Sequence, residues 1–218
     1  MEIGHINTAK LTRHSLAVKI LKVESPNLIW IHIRNGEETF QELRAEMQWK
    51  MARQAKYLIC YPDDILVDEA VAIREANHWH RGQILQIRDW KAYIALKDWG
   101  RSVWRPFNEC YRLLDRFREL EWQTVPCDLA RIKPTQDTNT WPRSTRQITK
   151  AIAEKKVERI QIKKAIKDTA AYVDLAIDNS PRNGDYDLGH ILTQLGHTQE
   201  IPKAGIDLSP GITGELYS

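Results

Sequence analysis

Cysteine is scarce in this chain: Cys60, Cys110 and Cys127 are three among 218 residues. An odd number with no pair at metal-ligand spacing excludes a disulfide framework and a zinc knuckle. All three are expected as buried, reduced, small apolar side chains in a cytosolic protein. No apolar run approaches the roughly 20 residues of a membrane span, and the first residues lack a charged start followed by an apolar stretch, so neither a membrane partner nor secretion is expected. Charge of one sign is missing too, because a formal +3 falls short of the clustered basic face that nucleic acid normally calls for. There is no Gly-x-Ser-x-Gly elbow and no locally paired Cys and His, which leaves acyl-transfer chemistry without a nucleophile. His78 and His80 share one side of a strand, yet no third ligand accompanies them, so no metal and no cofactor are expected. What is present, 42% hydrophobic and 28% charged residues, suffices for one large packed domain or two small ones.

Periodicity orders the chain. Ala17, Val18, Ile20 and Val23 precede a Ser25-Pro26-Asn27 turn, and Leu28 to Ile33 follow it, which predicts a hairpin over 15–34. Phe40, Leu43, Met47 and Met51 recur three and four apart, placing a core stripe on a helix from about 37 to 56. Pro62-Asp63-Asp64 breaks that pattern, and four short strands at 65–73, 79–88, 92–98 and 102–106 suggest a small barrel. Cys110, Leu113, Leu114, Phe117 and Leu120 again have helical spacing, followed by a strand at 125–132. Trp141, Thr145, Ile148 and Ile152 predict an amphipathic helix that starts near Pro142. Strands follow at 157–166 and 171–177, the second alternating Ala171, Val173, Leu175 and Ile177. After a turn cluster at 179–184 comes a short helix with Leu188, Ile191, Leu192 and Leu195. From Pro202 on, Gly and Pro recur without period, and a loose tail is expected.

Several motifs stand in a telling order: Trp30 in the opening hairpin, Trp79-His80-Arg81, Leu96-Lys97-Asp98-Trp99-Gly100-Arg101, Cys127-Asp128-Leu129-Ala130, Trp141 at a helix start, and Tyr172-Val173-Asp174-Leu175. This succession resembles the extended Tudor domain of germline piRNA-pathway proteins over nearly the whole chain. The resemblance implies a mixed β/α fold, with a Tudor β-barrel inserted into a split OB-like, staphylococcal-nuclease-like barrel and a long helix bridging them. It places the first part of the nuclease-like lobe and the linker helix at 14–62, the Tudor barrel at 63–107, the remainder of the lobe at 108–201 and the tail at 202–218. It also implies a non-catalytic module. The opening hairpin offers only Glu24, whereas metal-dependent phosphodiester cleavage needs clustered carboxylates.

In the dimethylarginine-reading members of that family, four aromatics surround the methylated guanidinium and an Asn hydrogen-bonds it. The corresponding positions here hold Ile73 or Arg74, then His80, Leu96 and Trp99, with Arg101 in place of the Asn. Only Trp99 is an intact wall. Each aromatic face contributes roughly 0.5–2 kcal/mol to holding a cation, and Arg101 adds like-charge repulsion. The resemblance is therefore closest to degenerate-cage members that bind unmethylated segments of a Piwi-clade Argonaute in cytoplasmic germ granules (nuage). An Arg-rich N-terminal Argonaute peptide is the implied partner, with Trp99 as platform, Asp98, Asp68 and Glu69 as acceptors for guanidinium donors, and His80, Leu96 and Arg101 beside them. Two alternatives stand: a weak dimethylarginine reader, or RNA binding by Lys150, Lys155, Lys156, Arg159, Lys163, Lys164 and Lys167 as a phosphate-contacting surface. Trp90 is expected in a turn, and Trp104 in packing between barrel and helix.

Overall fold

Residues 15–20 alternate exposed and buried side chains before the register shifts at Ile20/Lys22, and the hairpin they open is closed at Pro26-Asn27 as the sequence predicts. The computed structural model describes residues 2–12, 15–135, 140–154, 157–166, 169–177 and 186–201. The 179–184 turn cluster and the tail from 202 lie outside the described residues. In chain order the elements are β1 (Ser15–Ser25), β2 (Leu28–Ile33), α1 (Glu37–Leu58), β3 (Ala70–Glu75), β4 (His78–Arg88), β5 (Lys91–Leu96), β6 (Arg101–Pro106), β7 (Cys110–Arg112) and β8 (Thr124–Leu129). They continue with β9 (Ile132–Pro134), α2 (Arg143–Ala153), β10 (Val157–Ile166), β11 (Ala170–Ile177), β12 (Tyr186–Asp187), α3 (Leu188–Gln194) and β13 (Thr198–Glu200).

The chain divides into two compact units. Of the described residues, one unit contains 2–6 and 36–124, and the other 7–35 and 125–201. In the second unit the strands run in the order β10-β1-β2-β8-β11-β12, and β10 also pairs with β11, so the sheet closes on itself. The opening hairpin thus supplies two strands of a barrel whose other members lie past residue 124, as expected for a split OB-like lobe. Closure removes the exposed edges that each half would otherwise present. The α2 face differs slightly from its predicted stripe: Thr145, Thr149 and Ala153 are the buried line, and the Thr149 hydroxyl donates to the Thr145 carbonyl at 2.7 Å.

The first unit holds the five-stranded antiparallel sheet β6-β5-β4-β3-β7 together with α1. Two tight hairpins, at Ala76-Asn77 and Asp89-Trp90, have positive φ at both central residues, the geometry that matches the right-handed strand twist. The two faces of the sheet build two cores. One faces the barrel interior, with Val71, Ile73, Ile84, Ile94 and Leu96. The other lies under the predicted α1 stripe, where Leu43, Met47 and Met51 meet Trp79, Phe117 and Trp122. Gly82 in β4 is required by this packing, since a Cβ there would collide with the Ile94 side chain.

Between 107 and 122 the structure departs from the helix expected there. Short 3-10 turns at Phe107–Glu109 and Asp115–Arg118 flank β7, which pairs with β3 through Ile73 and Cys110. The helical spacing had another cause: Cys110 belongs to the barrel interior, while Leu113 and Phe117 belong to the core under α1. The strand expected over 125–132 is likewise split, because Arg131 takes a left-handed conformation (φ 64°) between β8 and β9. Trp104 does not pack beneath a helix. It is 41% exposed and stacks on Tyr93 of the neighbouring strand, 5.0 Å between ring centres. All three cysteines are buried, as expected. No described helix is long and apolar enough to cross a membrane.

Candidate functional site

The site grows out of the tight turn between β5 and β6. The Trp99 amide donates to the Leu96 carbonyl at 2.7 Å, and Gly100 has the positive φ (62°) that lets the chain reverse. Beneath the turn, Asp98 is 2% exposed and accepts a fork of two hydrogen bonds from Arg81, from Nε at 2.9 Å and Nη2 at 2.8 Å. The Gln123 amide also donates to Asp98. Arg81, itself 1% exposed, spends its remaining donors on the carbonyls of Phe117, Leu120 and Glu121. Planar bidentate pairing of this kind fixes direction as well as distance. Trp99 is therefore carried on a rigid base and lies half-buried, packed against the barrel-interior cluster.

Beside the Trp99 ring stand His80, Phe40 and Arg44. His80 of β4 meets it edge-on, with ring centres 5.7 Å apart, and Phe40 of α1 lies at 6.0 Å. The Arg44 guanidinium, one helical turn after Phe40, sits 4.8 Å from the ring centre. Arg44 Nη1 also donates to Gln41 Oε1 at 3.0 Å. Arg101, at the start of β6, is bound to the Glu75 carboxylate, whose other oxygen accepts from Arg105 at 2.8 Å. The Arg101 contact holds the Glu75 carboxyl below its ordinary value.

The site residues expected from sequence divide into three sets. Trp99, His80 and Arg101 gather at this end of the barrel. Leu96 and Asp98 do not present to solvent: Leu96 is 0% exposed inside the barrel, and the Asp98 carboxylate is committed to Arg81, so neither forms a wall or a free acceptor. Asp68 and Glu69 lie elsewhere, before β3, where their backbones pair with Ile84. They line a concavity of about 560 Å³ with Leu66, Val67, Gln83 and Trp122, which includes none of the residues around Trp99. Ile73 is buried, and Arg74 is exposed with its guanidinium donating to Asn77. Arg44, Phe40 and Glu75 are the neighbours that sequence reasoning missed. Phe40 was legible only as core, and nothing local ties Arg44 to a turn 55 residues further along the chain.

Burial, and then the positive field of Arg101, push the His80 imidazole down to about 4. Unfolded His titrates near 6.5, so between these values the unfolded chain binds the extra proton and the folded one does not. Stability should therefore fall as pH drops from about 6.5 to about 4, then level off. We expect His80→Gln to flatten that slope by one to a few kcal/mol, at about 1.4 kcal/mol per pK unit with a discount for partial exposure. Denaturant unfolding at a series of pH values measures it, and an unchanged slope in the variant would disprove the assignment.

A family model described as Tudor domain matches residues 11–131, more than half of the chain, and the chain belongs to that family. No curated protein sequence matches it. Among solved structures, its fold is that of extended Tudor domains. It is similar to domain TD3 of mouse TDRD1 in complex with a MILI peptide containing dimethylarginine, at TM-score 0.81 and 14% identity, covering 93% of this chain and 100% of that one. It is similar also to the Drosophila melanogaster Papi extended Tudor domain in complex with an unmethylated Piwi N-terminal peptide, at TM-score 0.73 and 18% identity, covering 86% and 100%. The same Papi domain with the symmetrically dimethylated Piwi peptide gives TM-score 0.72 at 18% identity, with the same coverage.

Proposed function

We propose that this chain is a non-catalytic interaction module of the piRNA pathway that binds an unmethylated, arginine-bearing N-terminal segment of a Piwi-clade Argonaute, in cytoplasmic germ granules. The observation that carries this reading is the Trp99 face with an unmodified guanidinium, that of Arg44, resting 4.8 Å from its centre. The site holds planar guanidinium chemistry with fewer aromatic walls than a four-sided cage: only Phe40 and His80, at 6.0 and 5.7 Å, accompany the Trp99 ring among the described ring contacts. His80 adds one ring edge, the Leu96 position contributes no wall, and Arg101 presents charge of the wrong sign. An added methyl group therefore gains less cation–π and apolar contact than a complete cage would give it. That solved extended Tudor domains carry both methylated and unmethylated Piwi peptides supports the partner class.

RNA binding by the 150–167 stretch has less support. Lys163 is paired with Asp174 at 2.8 Å and Lys150 with Glu154 at 3.4 Å, while Lys155, Lys156 and Lys167 lie outside the described residues.

Calorimetry on matched peptides tests the proposal. Symmetric dimethylation of the peptide arginine is expected to change affinity by less than about tenfold, roughly 1.4 kcal/mol. Trp99→Ala should weaken both peptides by about 1–3 kcal/mol. Because Trp99 also packs against Phe40 and His80, the melting temperature must be read on the same sample. A gain of tenfold or more on methylation, or unchanged binding by a folded Trp99→Ala variant, would remove the reading.

A further inference from the structure

We infer that Arg44 is a built-in occupant of the cation seat on Trp99, and that a partner's arginine enters only by displacing it. The inference rests on the proposed use of Trp99 as a guanidinium platform. Arg44 is positioned from within the fold: Phe40 and Leu43 are buried beneath α1, which fixes the helix rotation, and Arg44 follows Phe40 by one turn on the side that reaches Trp99. Its guanidinium lies nearer the Trp99 ring centre, 4.8 Å, than the Phe40 ring centre, 5.8 Å, and its Nη1 donates to Gln41. This is the chemistry a partner arginine would offer at the same face.

Charge balance argues for displacement rather than for two guanidinium groups sharing the site. Arg44 and Arg101 both act on His80, and the carboxylate beside Arg101, Glu75, has one oxygen held by Arg101 and the other by Arg105. A further cation arriving with Arg44 in place would meet two like charges and no acceptor among these groups. With Arg44 swung into solvent, the incoming group inherits its ring face and the Gln41 acceptor. The exchange of one guanidinium for another is nearly even, so an isolated arginine gains little. A segment whose flanking residues make additional contacts gains the difference. Arg44 is thereby a specificity-determining residue that rejects arginines lacking the right flanks.

The test uses the full chain, labelled with nitrogen-15, titrated with N-acetyl-arginine methylamide while the Trp99 indole N–H signal is followed and assigned by Trp99→Phe. Arg44→Ala should reach half-saturation at a probe concentration at least threefold lower than the unmodified protein, the scale of one exposed cation–π contact. Arg44→Gln, which preserves side-chain bulk, should do the same, and the uncharged citrulline analogue should show no such gain. Equal or weaker probe binding in both variants overturns the inference, as does loss of folding in both, which would make Arg44 a structural clamp. The Piwi-clade peptide separates the two claims. Failure of the peptide to bind any form, with the probe gain intact, defeats the proposed partner alone. Peptide binding with no probe gain defeats the Arg44 inference alone.

Discussion

Arg81→Ala is expected to cost about 3–5 kcal/mol of stability and to lower the melting temperature by roughly 10 °C or more, because it breaks a fully buried ion pair from one side. The Asp98 carboxylate would be left 2% exposed with the Gln123 amide, and three carbonyls at Phe117, Leu120 and Glu121 would lose their shared donor. Asp98→Ala should be as damaging, since a guanidinium cannot shed its charge. Arg81→Lys should not rescue, as an ammonium cannot make the planar fork while reaching three carbonyls. Chemical denaturation of the three variants measures the losses. A penalty below about 1 kcal/mol for either alanine variant would mean that water reaches the pair. Any binding lost by Asp98→Ala then follows from collapse of the turn under Trp99, not from removal of a peptide acceptor.

Asp128→Asn is expected to act in the opposite direction. Asp128 sits in β8, 6% exposed, opposite Tyr172 in the parallel pairing with β11, and burial pushes its carboxyl up to about 7. An unfolded aspartate titrates near 3.9. Between those values the folded chain holds a proton that the unfolded chain has released, so stability declines as pH rises from about 4 to about 7 and stays low above. Asparagine cannot ionise and escapes the decline. The variant should be more stable than the parent by a few kcal/mol at pH 8, at about 1.4 kcal/mol per pK unit, and nearly equal to it at pH 4. Melting curves at both pH values decide the matter. A gain that does not vary with pH, or a loss at pH 8, would place the Asp128 charge in a solvated position.

The parts of the fold legible in the sequence were those where one period serves one core. The α1 stripe of Phe40, Leu43, Met47 and Met51 is buried as spaced, and the alternation in β11 places Val173, Leu175 and Ile177 inward. Period misled where consecutive apolar residues feed different cores, as with Cys110 on one side and Leu113 and Phe117 on the other. The site was legible in the same measure. The Asp-Trp-Gly turn was legible as a turn carrying Trp99, because turn geometry is local, though the ring lies half-buried against the barrel-interior cluster. It did not reveal that Asp98 is spent, because Arg81 lies on the preceding strand and only strand register brings the two together. Helix spacing identified which α1 residues are buried, but the meeting of Arg44 with Trp99 depends on how α1 lies across the barrel strands of its own unit.

The pairing of the opening hairpin with strands from the other end of the chain also has a consequence during synthesis. Lys19 finds its partner in Val157, and Ser15 in Gln161. At about 5–20 residues per second, β1 and β2 leave the ribosome on the order of ten seconds before β10 and β11 exist. Throughout that interval Ile20, Ile29 and Ile31, all buried in the finished barrel, have no sheet to enter. Strands β3 to β7 pair with one another in a sheet of their own, and that sheet can form meanwhile. The nascent chain thus passes through a stage with residues 36–124 folded and residues 15–33 still adhesive, and its yield in cells should depend more on chaperone protection of residues 15–33 than on the stability of the finished fold.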